Sequence, residues 1–281
     1  MRLKPLHRIG ILAMSLLAPR RLAAIMLRAP VRHSGGEVGL AAEAERVEFA
    51  SGDGALCRGW WLTPLTGVAD RAVVVTHGWT SQYLRMRPLV EPLLAGGNQV
   101  LLYDARGHGE SDPTPYCSLR QFTDDLHHAV RFARARVERV AVLGHSLGGS
   151  ASIVSTAEGS GAERVATLAA FADPRQASAD ILNREGMPGD LVMQRIGPHV
   201  ESFIGCRFET ITPELRIREV KVPHLLIHGT EDEVVPVAHF HRLVAAGGSQ
   251  VEPLLIDGAD HDSIKTHPEV LARVEAFLRA W

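Results

Sequence analysis

Cysteine is scarce in this chain of 281 residues. Cys57, Cys117 and Cys206 are the only three, far apart and without a C-x-x-C pair. Their number and spacing exclude a disulfide framework or a zinc knuckle and read as reduced thiols. An excess of positive charge is missing as well. Thirty Lys and Arg stand against 32 Asp and Glu, for a formal charge of −2, which gives no reason to expect nucleic acid as a partner. There is no G-x-G-x-x-G, no G-x-x-x-x-G-K-[ST] and no H-E-x-x-H. The expectation is therefore no dinucleotide, ATP or other cofactor and no metal. The one conspicuous apolar run, residues 9–18, is too short to span a bilayer by itself. Repeats and low-complexity tracts are absent too. With 46% hydrophobic and 22% charged residues, the chain is a globular one, and its length suits a single large α/β domain.

The charge is unevenly placed. The first 36 residues carry Arg2, Lys4, Arg8, Arg20, Arg21, Arg28 and Arg32 and no acid, which leaves the remainder with nine more acids than bases. The apolar run stops at Pro19-Arg20-Arg21, and no clean A-x-A cleavage site follows it. Leu22, Ile25, Met26 and Ala29 then recur at helical spacing opposite Arg21 and Arg28. Residues 1–43 are accordingly an N-terminal arm. Its amphipathic segment has three possible fates: docking on the protein's own body, contact with a membrane surface through residues 1–33, or removal as a targeting peptide. The expected location is the cytoplasm, with membrane association through the arm as the alternative.

From residue 44 onward, short apolar runs alternate with helix-length segments, the pattern of a mostly parallel sheet with helices on both faces. Residues 44–50 and 55–62 flank Ser51-Gly52-Asp53-Gly54 and read as an opening hairpin. Strands are expected at 72–75, 99–103, 140–143, 165–168, 224–227 and 252–256. Helices are expected at 83–95, 119–136, 147–158, 237–246 and 268–280. The interval 171–222, rich in apolar side chains, is too long for a plain crossover and reads as a helical cap inserted into a 44–281 domain.

Gly144-His145-Ser146-Leu147-Gly148 fits G-x-S-x-G and lies between an expected strand and an expected helix. That context makes it a nucleophile elbow, with Ser146 exposed on a sharp turn. A serine hydroxyl needs a base, and the base needs a carboxylate to hold its tautomer. His261 follows the last expected strand, and Asp232 lies in His228-Gly229-Thr230-Glu231-Asp232-Glu233 after the preceding one. Chain order Ser, Asp, His is the order of α/β-hydrolases.

Four blocks in sequence now carry a resemblance. They are Thr76-His77-Gly78-Trp79, the segment Tyr103-Asp104-Ala105-Arg106-Gly107-His108-Gly109-Glu110-Ser111, the elbow through Gly149, and the pair of blocks around Asp232 and His261. Over residues 44–281 the chain resembles an α/β-hydrolase-fold serine hydrolase of the esterase and lysophospholipase-like type with a small cap. The resemblance implies that the backbone N–H groups of Trp79 and Leu147 form an oxyanion hole, and that residues 106–109 form a structural turn near the site. The implied activity is cleavage of a carboxylic ester of an uncharged or apolar acyl substrate, through an acyl-enzyme on Ser146. An acyl-CoA thioesterase or acyltransferase, and a noncatalytic binding module of the same fold, are the alternatives.

Each role has competitors in the sequence. Glu231, Glu233 and Asp173 rival Asp232 as the acid, and His267 rivals His261 as the base. His77, His108 and His145 read as structural or substrate-facing. His127-His128 beside Asp124-Asp125, and His239-x-His241, lack a ligand spacing that favours metal. Cys206 with His199 has no turn motif to support thiol catalysis, and a cap thiol packing as a small hydrophobe is the simpler account. The N-terminal arm falls outside the resemblance.

Overall fold

In a computed structural model that describes residues 5–29 and 36–280, eight strands form one sheet in the order β1-β2-β4-β3-β5-β6-β7-β8. β1 (Ala42–Ala50) and β2 (Leu56–Pro64) form the antiparallel hairpin expected around Ser51-Gly52-Asp53-Gly54, and β2 also runs antiparallel to β4 (Gln99–Asp104). The other neighbours, β3 (Arg71–Thr76), β5 (Arg139–His145), β6 (Arg164–Leu168), β7 (His224–Gly229) and β8 (Val251–Ile256), pair in parallel. The chain is an α/β fold with a mostly parallel sheet.

Alternation along the buried strands sends side chains to two separate cores, because successive residues of a strand face opposite sides. Ala72 and Val74 of β3, with Leu101 and Tyr103 of β4, join the apolar cluster under α4 (Leu119–Arg134) and α5 (Leu147–Ala157). Val73, Val75, Val100 and Leu102 join the opposite cluster, under α3 (Arg87–Ala95) and α11 (Pro268–Arg279). Helix α10 (Ala238–Ala246) packs beside β7. The segment expected to be helical over 83–95 divides into a 3-10 turn, Tyr83–Met86, and α3. Pro88 suits the first turn of α3, where a missing N–H costs no helical hydrogen bond.

Between β6 and β7 the chain forms α6 (Pro174–Arg184), α7 (Gly189–Ile204), and the single turns α8 (Phe208–Ile211) and α9 (Pro213–Arg216). Val192, Met193 and Ile196 of α7 continue the apolar cluster that lies under α4 and α5.

The arm forms α1 (Pro5–Leu17) and α2 (Pro19–Met26). Helix α2 packs on α7, with Leu22 and Ala23 buried and the buried Leu27 just beyond its end. The expected apolar stripe differs in one position. Ile25 is 46% exposed, while Ala23 and Leu27 take inward places. A helix that starts afresh at Pro19 takes its phase from the groove of α7 rather than from its own most apolar residues. Of the basic arm residues, Arg2, Lys4 and Arg32 lie outside the described residues. No helix among the described residues is long and apolar enough to cross a membrane.

Candidate active site

Strand β5 ends in the middle of the sheet, and the chain turns at Ser146 directly into α5. Ser146 has φ 56° and ψ −120°, a conformation that costs an L-residue roughly 1–3 kcal/mol and persists only where the surroundings enforce it. Its N–H donates to the Leu168 carbonyl at 2.8 Å. The flanking glycines allow the turn to close. A Cβ on Gly144 would overlap the Gly148 carbonyl, and one on Gly148 would overlap the carbonyls of Thr76 and His77. The elbow therefore rests against the end of β3, and a Cβ on Gly78 would press on the Ser146 side chain at 3.0 Å.

This contact brings the Gly78-Trp79-Thr80 turn over the N-terminus of α5. Thr80 has φ 54°, unusual for a β-branched residue. The N–H groups of Trp79 and Leu147 have no acceptor among the described residues. The Trp79 ring stacks edgewise on His108, with centroids 5.6 Å apart.

Asp232 and His261 meet although they leave different strands. His261 Nδ1 lies 2.7 Å from Asp232 Oδ2, and the Asp232 side chain is fully buried. The other carboxylate oxygen accepts the Val234 and Val235 N–H groups at 2.9 and 2.8 Å, which fixes the rotamer and leaves Oδ2 for the imidazole. Asp173 has another task. Its Oδ1 accepts the Arg175 and Gln176 N–H groups as the N-cap of α6. Asp232, and not Asp173, is the carboxylate that reaches His261.

His77 and His108 are buried and structural. His77 Nε2 accepts the Ala105 N–H at 3.0 Å and its Nδ1 donates to Gly78 O at 2.8 Å, so the ring pins the turn above the serine. Burial lowers the pKa of His77 to about 4 and of His108 to about 3. The turn expected at 106–109 is anchored by Arg106, which donates to the fully buried Asp125. Asp124 pairs with Arg120. His239 joins Asp180 at 2.9 Å, and desolvation raises the pKa of the Cys206 thiol.

Ser146 and His261 line one cavity of about 620 Å³, within the usual range for small-molecule sites. Its wall is largely apolar and comes from four directions: Trp79 and Leu147 beside the serine, Ile181, Leu182 and Met193 from the cap, Val234 and Val235 near Asp232, and Met26 and Leu27 from the arm. The last two were not expected from the sequence. Nothing local marks a residue in a basic arm as part of a pocket whose serine lies 120 residues further along the chain. His145 was likewise missed as a neighbour of His261, since the second position of G-x-S-x-G accepts any residue.

A family profile described as serine aminopeptidase, S33 matches residues 67–198. That range holds the elbow and the His77-Gly78-Trp79 turn and stops before Asp232 and His261. The uncharacterized protein YfhR of Escherichia coli strain K12 is 28% identical over 225 residues, covering 78% of this chain and 73% of that protein. The mouse alpha/beta hydrolase domain-containing protein 17C is 38% identical over 63 residues, 22% of this chain. Among solved structures, the Pyrococcus furiosus esterase Pf2001 superposes with a TM-score of 0.72 at 25% identity, covering 91% of this chain and 98% of that one. The esterase domain of a Rhodothermus marinus protein gives a TM-score of 0.62 at 23% identity, covering 85% and 97%. With the sheet order and the elbow described above, these similarities make the chain an α/β-hydrolase-fold hydrolase.

Proposed function

We propose that the protein hydrolyses carboxylic esters of apolar acyl groups through an acyl-enzyme on Ser146. The observation that carries this reading is the 2.7 Å contact between His261 and the buried Asp232 at the edge of an apolar cavity that also contains Ser146. Asp232 holds the Nδ1 proton of His261, which leaves Nε2 as the base. Ser146 Oγ attacks the ester carbonyl as His261 takes its proton. The carbonyl oxygen becomes an anion facing the N–H groups of Trp79 and Leu147. Collapse expels the alcohol, which leaves with the proton from His261. Water then attacks the acyl-enzyme, gives a proton to His261, and releases the carboxylic acid as the proton returns to Ser146. Each backbone donor to the oxyanion is worth roughly a hundredfold to a thousandfold in rate.

The test is hydrolysis of p-nitrophenyl esters from acetate to palmitate by the wild type and by folded Ser146→Ala. Turnover on one or more chain lengths that disappears in the variant supports the assignment. A folded wild type that neither turns over nor is labelled by a serine-directed phosphonate is a binding module instead.

A second reading, an acyl-CoA thioesterase or acyltransferase, draws on Arg85 and Arg184. Both line the cavity, and neither lies within ion-pair distance of a carboxylate among the described residues. Such cations match the phosphates of a CoA ester. A clear preference in kcat/KM for acyl-CoA over the matched oxygen ester would favour that reading.

A further inference from the structure

Helix α1 wears its apolar side outward. Leu6, Ile9, Gly10, Ala13, Leu16 and Leu17 are all exposed, and at 100° per residue they fall on one face. Leu6 is 82% exposed, Ile9 63%, Leu16 60% and Leu17 86%. No polar side chain falls within that arc, and the exposed His7 borders it. With Ile25 of α2, these residues supply five of the eleven large exposed hydrophobic side chains among the described residues. A contiguous apolar stripe of this kind marks an interaction surface, whereas scattered exposed leucines do not.

The surroundings of the stripe select its occupant. Arg20, Arg21 and Arg28 are exposed on α2 and just after it, and the first 36 residues contain no acid. The remainder of the chain is acidic by nine charges. An anionic lipid surface attracts the arm and repels the body, so charge orients the protein with α1 toward the lipid. A helix of 13 residues is about 20 Å long. This is shorter than the roughly 30 Å hydrocarbon core of a bilayer, so the helix lies in the interface plane.

The stripe is also joined to the cavity. Helix α2 continues the arm from α1 and packs on α7, and Met26 and Leu27 at its end line the pocket that holds Ser146. The Leu27 carbonyl is fastened to the body by the Cys117 N–H at 2.9 Å. The helix that carries the stripe is therefore continuous with one wall of the cavity.

We propose that α1 is a seat on an anionic lipid surface and that, through α2, it presents the cavity to acyl esters carried in that surface. The choice of substrate rests on the ester-hydrolase reading above, but the seat does not. The experiment is flotation of the full-length protein with vesicles of phosphatidylcholine alone or with 30% phosphatidylglycerol. The wild type is compared with the double variant Leu16→Ser and Leu17→Ser, whose altered side chains lie outside the core, after circular dichroism has shown the same fold. The expected result is wild-type binding to the anionic vesicles that weakens with salt, and at least about tenfold weaker binding by the variant. Hydrolysis of soluble p-nitrophenyl butyrate should be unchanged.

Equal binding by the two proteins, no wild-type binding, or equal binding to neutral and anionic vesicles overturns the seat. So does a wild-type dimer in light scattering that the variant converts to monomer, since the stripe would then belong to a second copy. Vesicle binding without hydrolysis of any ester would leave the seat standing and remove the ester reading.

Discussion

The His145 ring donates from Nε2 to the backbone carbonyl of His261 at 2.8 Å, and the two imidazoles stand 4.7 Å apart. A carbonyl only accepts, so Nε2 of His145 carries the hydrogen. Burial, aided by the nearby His261, pushes the pKa of His145 well below its ordinary value and keeps the ring neutral. The Ser146 turn and the His261 loop are thereby tied by one hydrogen bond. His145→Phe removes the donor, leaves the carbonyl unpaired, and should lower kcat on a short p-nitrophenyl ester about tenfold with little change in KM. His145→Gln, which retains an N–H donor, should recover most of the rate. An unchanged kcat in His145→Phe would show that the bond does not position His261.

Met26 bounds the cavity from the arm side. If that wall limits the acyl chain, Met26→Trp should shift the optimum toward short esters and Met26→Ala toward long ones. One methylene of fit is worth about tenfold or more in kcat/KM, so the ratio of laurate to butyrate turnover is the sensitive readout. Identical ratios in wild type and both variants would place the acyl chain elsewhere.

Arg106 is 3% exposed and holds Asp125, itself fully buried, through its side chain and its backbone N–H. Breaking a buried pair from one side leaves the other charge uncompensated. Arg106→Met should therefore cost about 3–5 kcal/mol in unfolding free energy. Urea unfolding measures this loss, and a cost under about 1 kcal/mol would mean that solvent reaches Asp125.

Stability should fall in acid. Burial lowers the pKa of His77 to about 4 and of His108 and His224 to about 3, against an ordinary value of 6.5. Below pH 6.5 the unfolded chain takes up protons that the folded one refuses, so stability is lost progressively toward pH 3. Asp104 acts in the opposite sense. Burial raises its pKa to about 6, so it favours the fold as pH drops from 6 toward 3.8. Three depressed histidines outweigh one raised carboxyl. The melting temperature should drop by about 10 °C or more between pH 7.5 and 4.5. A flat or rising profile would show that these rings are protonated inside the fold.

The alternation of short apolar strands with helix-length segments, the hairpin at Ser51-Gly52-Asp53-Gly54, the elbow at Ser146 and the candidate residues Asp232 and His261 were legible in the sequence. Each is a local pattern: period 2 in strands, small residues where a backbone must pass close, and polar residues just beyond strand ends. Three matters were decided only by the tertiary structure. Asp173, the rival acid, caps α6 instead, because its strand end does not face the histidine loop. His145 touches His261 because two loops 116 residues apart in sequence meet over the sheet. The arm turns Leu22, Ala23 and Leu27 inward and leaves the apolar face of α1 outward, because the groove on α7 sets the phase of α2, and a helix's own sequence says which faces are apolar but not which of them will be covered.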